Sequence, residues 1–62
     1  MNTNKRRVRF MLFWQRANGE KIYRLDESGA IWKTESVQQA RDTAWAELKT
    51  GNIYRIEETW NA

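Results

Sequence analysis

Along residues 7–14, RVRFMLFW, apolar side chains stand at every position from Phe10 to Trp14. A strand in a sheet covered on one side needs an apolar residue only at alternate places. Val8, Phe10, Leu12 and Trp14 form one such set, which leaves Met11 and Phe13 on a face expected to meet water. Asn18-Gly19 separates this run from a second strand-like run, and that dipeptide favours a two-residue type I′ turn. A loop of that length puts Ala17 opposite Glu20, Trp14 opposite Tyr23 and Leu12 opposite Leu25. Turn chemistry and apolar pattern then select the same register.

The next turn is Asp26-Glu27-Ser28-Gly29, with Asp and Gly at the ends of a type I turn. If Gly29 supplies a left-handed bulge residue, Leu25 faces Ile31 and Arg24 faces Trp32. A two-residue Ser28-Gly29 loop would instead carry Trp32 to the Leu25 face. Ser36 and Gln39 have the spacing of a capping box, and Val37, Ala40, Ala44 and Leu48 continue as a helical stripe flanked by Trp45 and Arg41. Gly51 suits the position after the helix end, which predicts a helix over 37–50. A last strand follows from Ile53 to Trp60.

The expected order is therefore β-β-β-α-β: a two-layer α+β domain in which a small antiparallel or mixed sheet rests on one helix. A crossover from the third strand would run the last strand parallel to the first, beside it. The expected helix-facing layer is Val8, Phe10, Leu12, Trp14, Tyr23, Leu25, Ile31, Val37, Ala44, Leu48, Tyr54 and Ile56.

Charge divides the chain. Lys5, Arg6, Arg7 and Arg9 stand among the first nine residues with no acid, and residues 10–62 hold seven basic and eight acidic residues. The net charge of +3 and pI of 9.7 thus belong to the N-terminus rather than the body. Residues 1–6 are expected to be a flexible basic arm, and 7–62 a single domain. The basic stretch before FMLFW is not expected to act as a signal peptide, because Arg9 interrupts it and no small-residue cleavage site follows. No segment is long enough to span a membrane, and a cytoplasmic protein is expected.

The chain contains no Cys and no His, which removes disulfides, thiolate metal sites and the commonest general base. Asp26-Glu27 and Glu57-Glu58 are adjacent in sequence, but neighbours on a strand point to opposite faces and turn residues lie in water. Ser28 and Ser36 are accounted for by a turn and a cap. No glycine-rich phosphate loop exists, since Gly19, Gly29 and Gly51 each belong to a turn or a helix end. Neither enzyme activity, a metal site nor a cofactor is expected.

The expected open sheet face is more informative. Met11, Phe13, Ile22, Arg24 and Trp32 would lie together there, extended by Ile53 and Arg55 if the last strand lies adjacent. Apolar patches of that size on small monomers usually mark contacts. Met11, Phe13, Ile22, Arg24, Trp32 and Arg55 are the candidate partner-binding residues, with a partner protein as the first expectation and homodimerisation or plain sheet stabilisation as alternatives. Nucleic-acid binding through Lys5, Arg6, Arg7 and Arg9, with aromatics stacking on bases, is the other functional class. A membrane surface is not expected to be a partner, because FMLFW makes a poor amphipathic helix.

The layout of three strands and a helix, with GAIWKTESVQQARDTAWAEL after the second hairpin, resembles the arm-type DNA-binding domains of phage and transposon integrases. Gly29, Thr34 and Ala40 are the matching positions, and the resemblance spans about residues 8–50. It implies DNA binding by the sheet. Two features depart from it: Asp26, Glu27 and Glu35 lie near the turns, and a strand is added at the end. In size and style the chain is similar to small phage proteins that bind and inactivate host machinery, which implies an inhibitor that modulates its partner by occupying a surface.

Overall fold

β1 (Arg7–Gln15) is the middle strand of a three-stranded sheet, flanked by β2 (Lys21–Tyr23) and β3 (Arg55–Asn61), both antiparallel to it. The helix α1 (Val37–Lys49) packs on β1 and β3. The architecture is the expected two-layer α+β fold; the computed structural model describes residues 7–61.

The first hairpin differs from expectation by one residue. Phe13 pairs with Tyr23, Trp14 with Ile22 and Gln15 with Lys21. Arg16 N donates to Glu20 O, and Gly19 N donates back to Arg16 O, so the loop is Ala17-Asn18-Gly19. Gly19 takes the left-handed conformation at φ +93°, and no non-glycine among the described residues has positive φ. Asn18 therefore forms no type I′ turn; its Oδ1 accepts from Glu20 N at 2.9 Å, closing an Asx-type turn that ends in a glycine bulge.

The second turn follows the bulged alternative. Leu25 bridges Ile31, Trp32 N donates to Arg24 O, and Gly29 has φ +90°. Asp26 Oδ1 anchors the loop by accepting from Ser28 N, Ser28 Oγ and Ala30 N at 2.8, 2.6 and 3.1 Å. These donors hold the Asp26 carboxyl below its ordinary range, the Ser28 hydroxyl foremost. No full strand follows, however. The segment after Trp32 is irregular, and Thr34 exchanges both backbone bonds with Phe10, filling the edge of β1 beyond the end of β2.

That short return changes the topology. Because residues 30–34 do not add a strand to the sheet, the crossover through α1 departs from β2. β3 consequently runs parallel to β2 with β1 between them, and antiparallel, not parallel, to β1. Ser36 caps the helix as expected, accepting from Gln39 N at 3.1 Å. The Gln39 side chain does not reach back to Ser36; its Oε1 accepts from Thr34 Oγ1, which in turn accepts from Ser36 N. Thr50 and the left-handed Gly51 end the helix.

The buried core is Phe10, Met11, Leu12, Phe13 and Ala40. Consecutive strand residues face opposite ways, so β1 is buried on both sides. Of the expected helix-facing layer, Phe10 and Leu12 are buried and Val8, Tyr23, Ala44 and Tyr54 half-buried, while Trp14, Leu25, Ile31, Val37, Leu48 and Ile56 are exposed. A single thirteen-residue helix is too narrow to cover every apolar side chain that the sheet and its loops direct at it.

Candidate functional site

The one-residue register change decides where each candidate side chain lies. In antiparallel pairs, residues directly opposite share a face. Met11 and Phe13 face away from α1, together with Tyr23, Arg55 and Glu57. Ile22 and Arg24 lie on the helix side, where Arg24 Nε pairs with Glu47 Oε2 of α1 at 2.9 Å. The Arg24 guanidinium also sits 5.5 Å from the Trp32 ring centroid. The expected patch is therefore split between the two sides of the sheet.

Nor are Met11 and Phe13 free on their side. They are only 7% and 6% exposed. Phe13 is flanked by Tyr23, with centroids 6.0 Å apart, and covered by the cations of Lys21 at 4.8 Å and Arg55 at 5.9 Å. Glu57 accepts from Tyr23 Oη at 2.6 Å and from Lys21 Nζ at 3.3 Å, tying these groups into a polar canopy. The Tyr23 hydroxyl lowers the Glu57 carboxyl below its ordinary range, against the opposing effect of burial, and the same bond raises the Tyr23 phenol. The canopy explains the excess apolar residues of FMLFW: they form a second, miniature core roofed by charged and aromatic side chains.

Of the four basic N-terminal candidates, Lys5 and Arg6 lie outside the described residues. Arg7 is exposed, 3.7 Å from Glu35, and Arg9 is half-buried on the canopy side. Arg7, Arg9, Lys21 and Arg55 make this face basic, with Glu57 set among them.

The larger apolar surface lies on the helix side. A groove of about 380 Å³ runs between α1 and the start of β3. Ala44, Trp45 and Leu48 line one wall, and Ile53, Tyr54 and Ile56 the other; Arg41 is its charged member. Trp45 is 63% exposed and Ile53 72%. Ile53 also lines a second hollow with Trp14, Gly51 and Asn52, which joins Trp14 to the groove. Farther along β3, Trp60 is 57% exposed on the same face as Ile56. Glu47, near the C-terminal end of α1, ties the helix to the following loop and to Arg24: its carboxylate accepts from Asn52 Nδ2 and Arg24 Nε, each at 2.9 Å. Those two donors, Asn52 first, keep Glu47 below the ordinary carboxylate range.

The apolar pattern places Leu48, Ile56 and Trp14 in the core and Ile53 on the open face, whereas the structure brings Ile53 to the helix side beside Trp45 and Leu48. The available signal was a surplus: more large apolar residues pointed at one face than a short helix can shield.

Among the described residues, no cluster of three or more carboxylates comes together as a metal site, and no helix is long and apolar enough to cross a membrane. Comparison with protein-family models, with curated proteins and with solved structures finds no match. In the integrase-like layout all three strands precede the helix, whereas here the third strand of the sheet follows it.

Proposed function

We propose that this chain is a small non-enzymatic protein-binding domain that holds a partner protein on its α1–β3 face, and that it modulates or inhibits the partner by occupying that surface. The carrying observation is the joint exposure of Trp45, Ile53 and Ile56 in a groove walled by apolar side chains, with Trp60 exposed farther along β3 beyond Glu58. Contiguous apolar surface of this kind usually marks a contact, and buried tryptophan anchors contribute much of the affinity in protein interfaces. Arg41 at the groove supplies a charged rim residue of the sort that interfaces favour.

The test is affinity capture from a host-cell extract with the full chain and two variants. Trp45→Ala combined with Ile53→Ser removes groove anchors; Arg9→Ala combined with Arg55→Ala alters the opposite face. A specific protein retained by wild type and the arginine variant, but lost with the groove variant, supports this reading. The reverse pattern returns the site to the canopy face. Sedimentation of the chain alone distinguishes self-association through the groove.

A DNA- or RNA-binding role has one observation in its favour: the basic canopy face formed by Arg7, Arg9, Lys21 and Arg55. Four phosphate contacts would give a log–log salt slope of about −3 to −4. Two of the cations on this side, Arg7 and Lys21, already have carboxylates within 4 Å, so the protein-binding reading is preferred. Absence of binding to mixed DNA and RNA at low salt rejects the nucleic-acid role.

A further inference from the structure

β3 is an edge strand, and the hydrogen bonds of β1 reveal which of its backbone groups are spoken for. Phe10 exchanges both bonds with Thr34, Leu12 O accepts from Arg24 N, and Arg16 N donates to Glu20 O. The even-numbered residues of β1 therefore turn their N–H and C=O groups toward β2. Arg9, Met11 and Phe13 turn theirs toward β3, onto Thr59, Glu57 and Arg55. Ile56, Glu58 and Trp60 are left directing N–H and C=O outward, with no backbone partner among the described residues. Their side chains point to the helix side, so the open edge and the apolar groove share one border.

Edge strands of this kind pair with added strands unless something blunts them. Glu58 does so selectively. It is exposed, has no ion-pair partner among the described residues, and sits between Ile56 and Trp60 on their face. A second copy pairing antiparallel in full overlap would set Glu58 directly against Glu58, which is unfavourable. An incoming strand with a cation at that place meets the opposite charge. Glu57 cannot attract it, because its carboxylate is taken by Tyr23 and Lys21 on the far face.

We propose that β3 accepts an extended segment of a partner protein as an added antiparallel strand, and that the segment carries a Lys or Arg against Glu58 flanked at alternate positions by apolar residues that cover Ile56 and Trp60. This rests on the α1–β3 face being the docking surface. Main-chain bonds to Ile56, Glu58 and Trp60 supply attachment, and the alternating row supplies selectivity, as in strand-addition complexes generally.

The probes are synthetic peptides with blocked ends: Thr-Val-Thr-Lys-Thr-Val-Thr, the same peptide with Glu in place of Lys, and the Lys peptide N-methylated at its valines and lysine. Amide exchange of the full chain is followed residue by residue. At about ten times its Kd the Lys peptide should slow exchange at Ile56, Glu58 and Trp60 about tenfold. The N-methylated peptide should have no effect, and Glu58→Lys should reverse the preference in favour of the Glu peptide. The proposal is overturned if no peptide protects these amides at millimolar concentration, if the methylated peptide protects them equally, or if Glu58→Lys leaves the preference unchanged. Protection without peptide that vanishes on dilution identifies a second copy as the occupant and also overturns it. If the peptides fail while the Trp45/Ile53 variant still abolishes capture, strand addition alone is rejected and the groove reading stands.

Discussion

Tyr23 Oη donates a 2.6 Å hydrogen bond to Glu57 Oε1 and so joins β2 to β3 across the face of β1. The two outer strands share no backbone bonds, and this contact with the nearby Lys21 bridge spans the gap above Phe13. Its consequence is an acid sensitivity with a defined direction. Glu57 is more acidic folded than unfolded, so its contribution is fully present above the ordinary carboxylate value of about 4.3 and is lost as pH falls through the lower folded value. Asp26 and Glu47 are lowered too and add to the same acid limb. Tyr23 is raised, so its share is present below its ordinary value and is lost as pH rises through the folded one. Glu57→Gln should destabilise the domain by about 1 kcal/mol at neutral pH and flatten the fall of the urea midpoint with acid. An acid limb as steep as that of wild type would show that Glu57 takes no part in it.

Large aromatic residues should divide by role. Phe13 is buried although no helix covers it, and Phe13→Ala should cost about 3 kcal/mol, enough to unfold much of so small a domain. Trp45 is mostly exposed, and Trp45→Ala should change stability by less than about 0.5 kcal/mol while weakening partner capture. Denaturant unfolding of both variants checks this. Similar losses from both would mean that Trp45 is a core residue and would remove the groove's leading anchor.

Glu47 stands in the last turns of α1, where the helix dipole disfavours an acid, and its two donors account for its presence there. Glu47→Ala leaves Arg24 half-buried beside Trp32 without its carboxylate, at a cost of about 1–2 kcal/mol, or roughly 5 °C or more in Tm for a domain of this size. Asn52→Ala keeps the Arg24 pair and should cost less. Thermal unfolding of both decides the order; an equal or larger loss for Asn52→Ala would place the main restraint on the loop rather than on Arg24.

Local chemistry proved more legible than register. Ser36, Gly29 and Gly51 each announce their positions, because a cap oxygen or a left-handed glycine acts within a few residues and tolerates few substitutes. Asn18-Gly19 is compatible with two loops, and sequence preference alone chose the tighter one; the difference of one residue exchanged Tyr23 for Ile22 and Arg24 on the helix side. The direction of β3 was illegible for a different reason. It depends on whether residues 30–34 add a strand or merely plug the edge of β1, which is settled by long-range bonds between Thr34 and Phe10. The candidate site moves with these differences: alternation along β1 predicts Met11 and Phe13 exposed, but the canopy of Lys21, Tyr23, Arg55 and Glu57 that covers this face comes from two other strands.

The hairpin register can be tested by shortening the loop. Arg16 and Glu20 already form the closing pair, with Ala17-Asn18-Gly19 between them. Deleting Ala17 leaves Asn18-Gly19 as a two-residue loop on the same closing pair, the length at which this dipeptide adopts a type I′ turn. Phe13 should therefore stay opposite Tyr23, with stability unchanged or raised by a few tenths of a kcal/mol. Gly19→Ala should instead cost about 1 kcal/mol: no neighbouring atom crowds the added methyl, so the loss comes from the left-handed backbone alone. Cross-strand Hα–Hα contacts by NMR and thermal unfolding of the two variants give the answer. A shift of Tyr23 to a new partner in the deletion variant would show that the strands, rather than the Arg16–Glu20 closure, set the pairing.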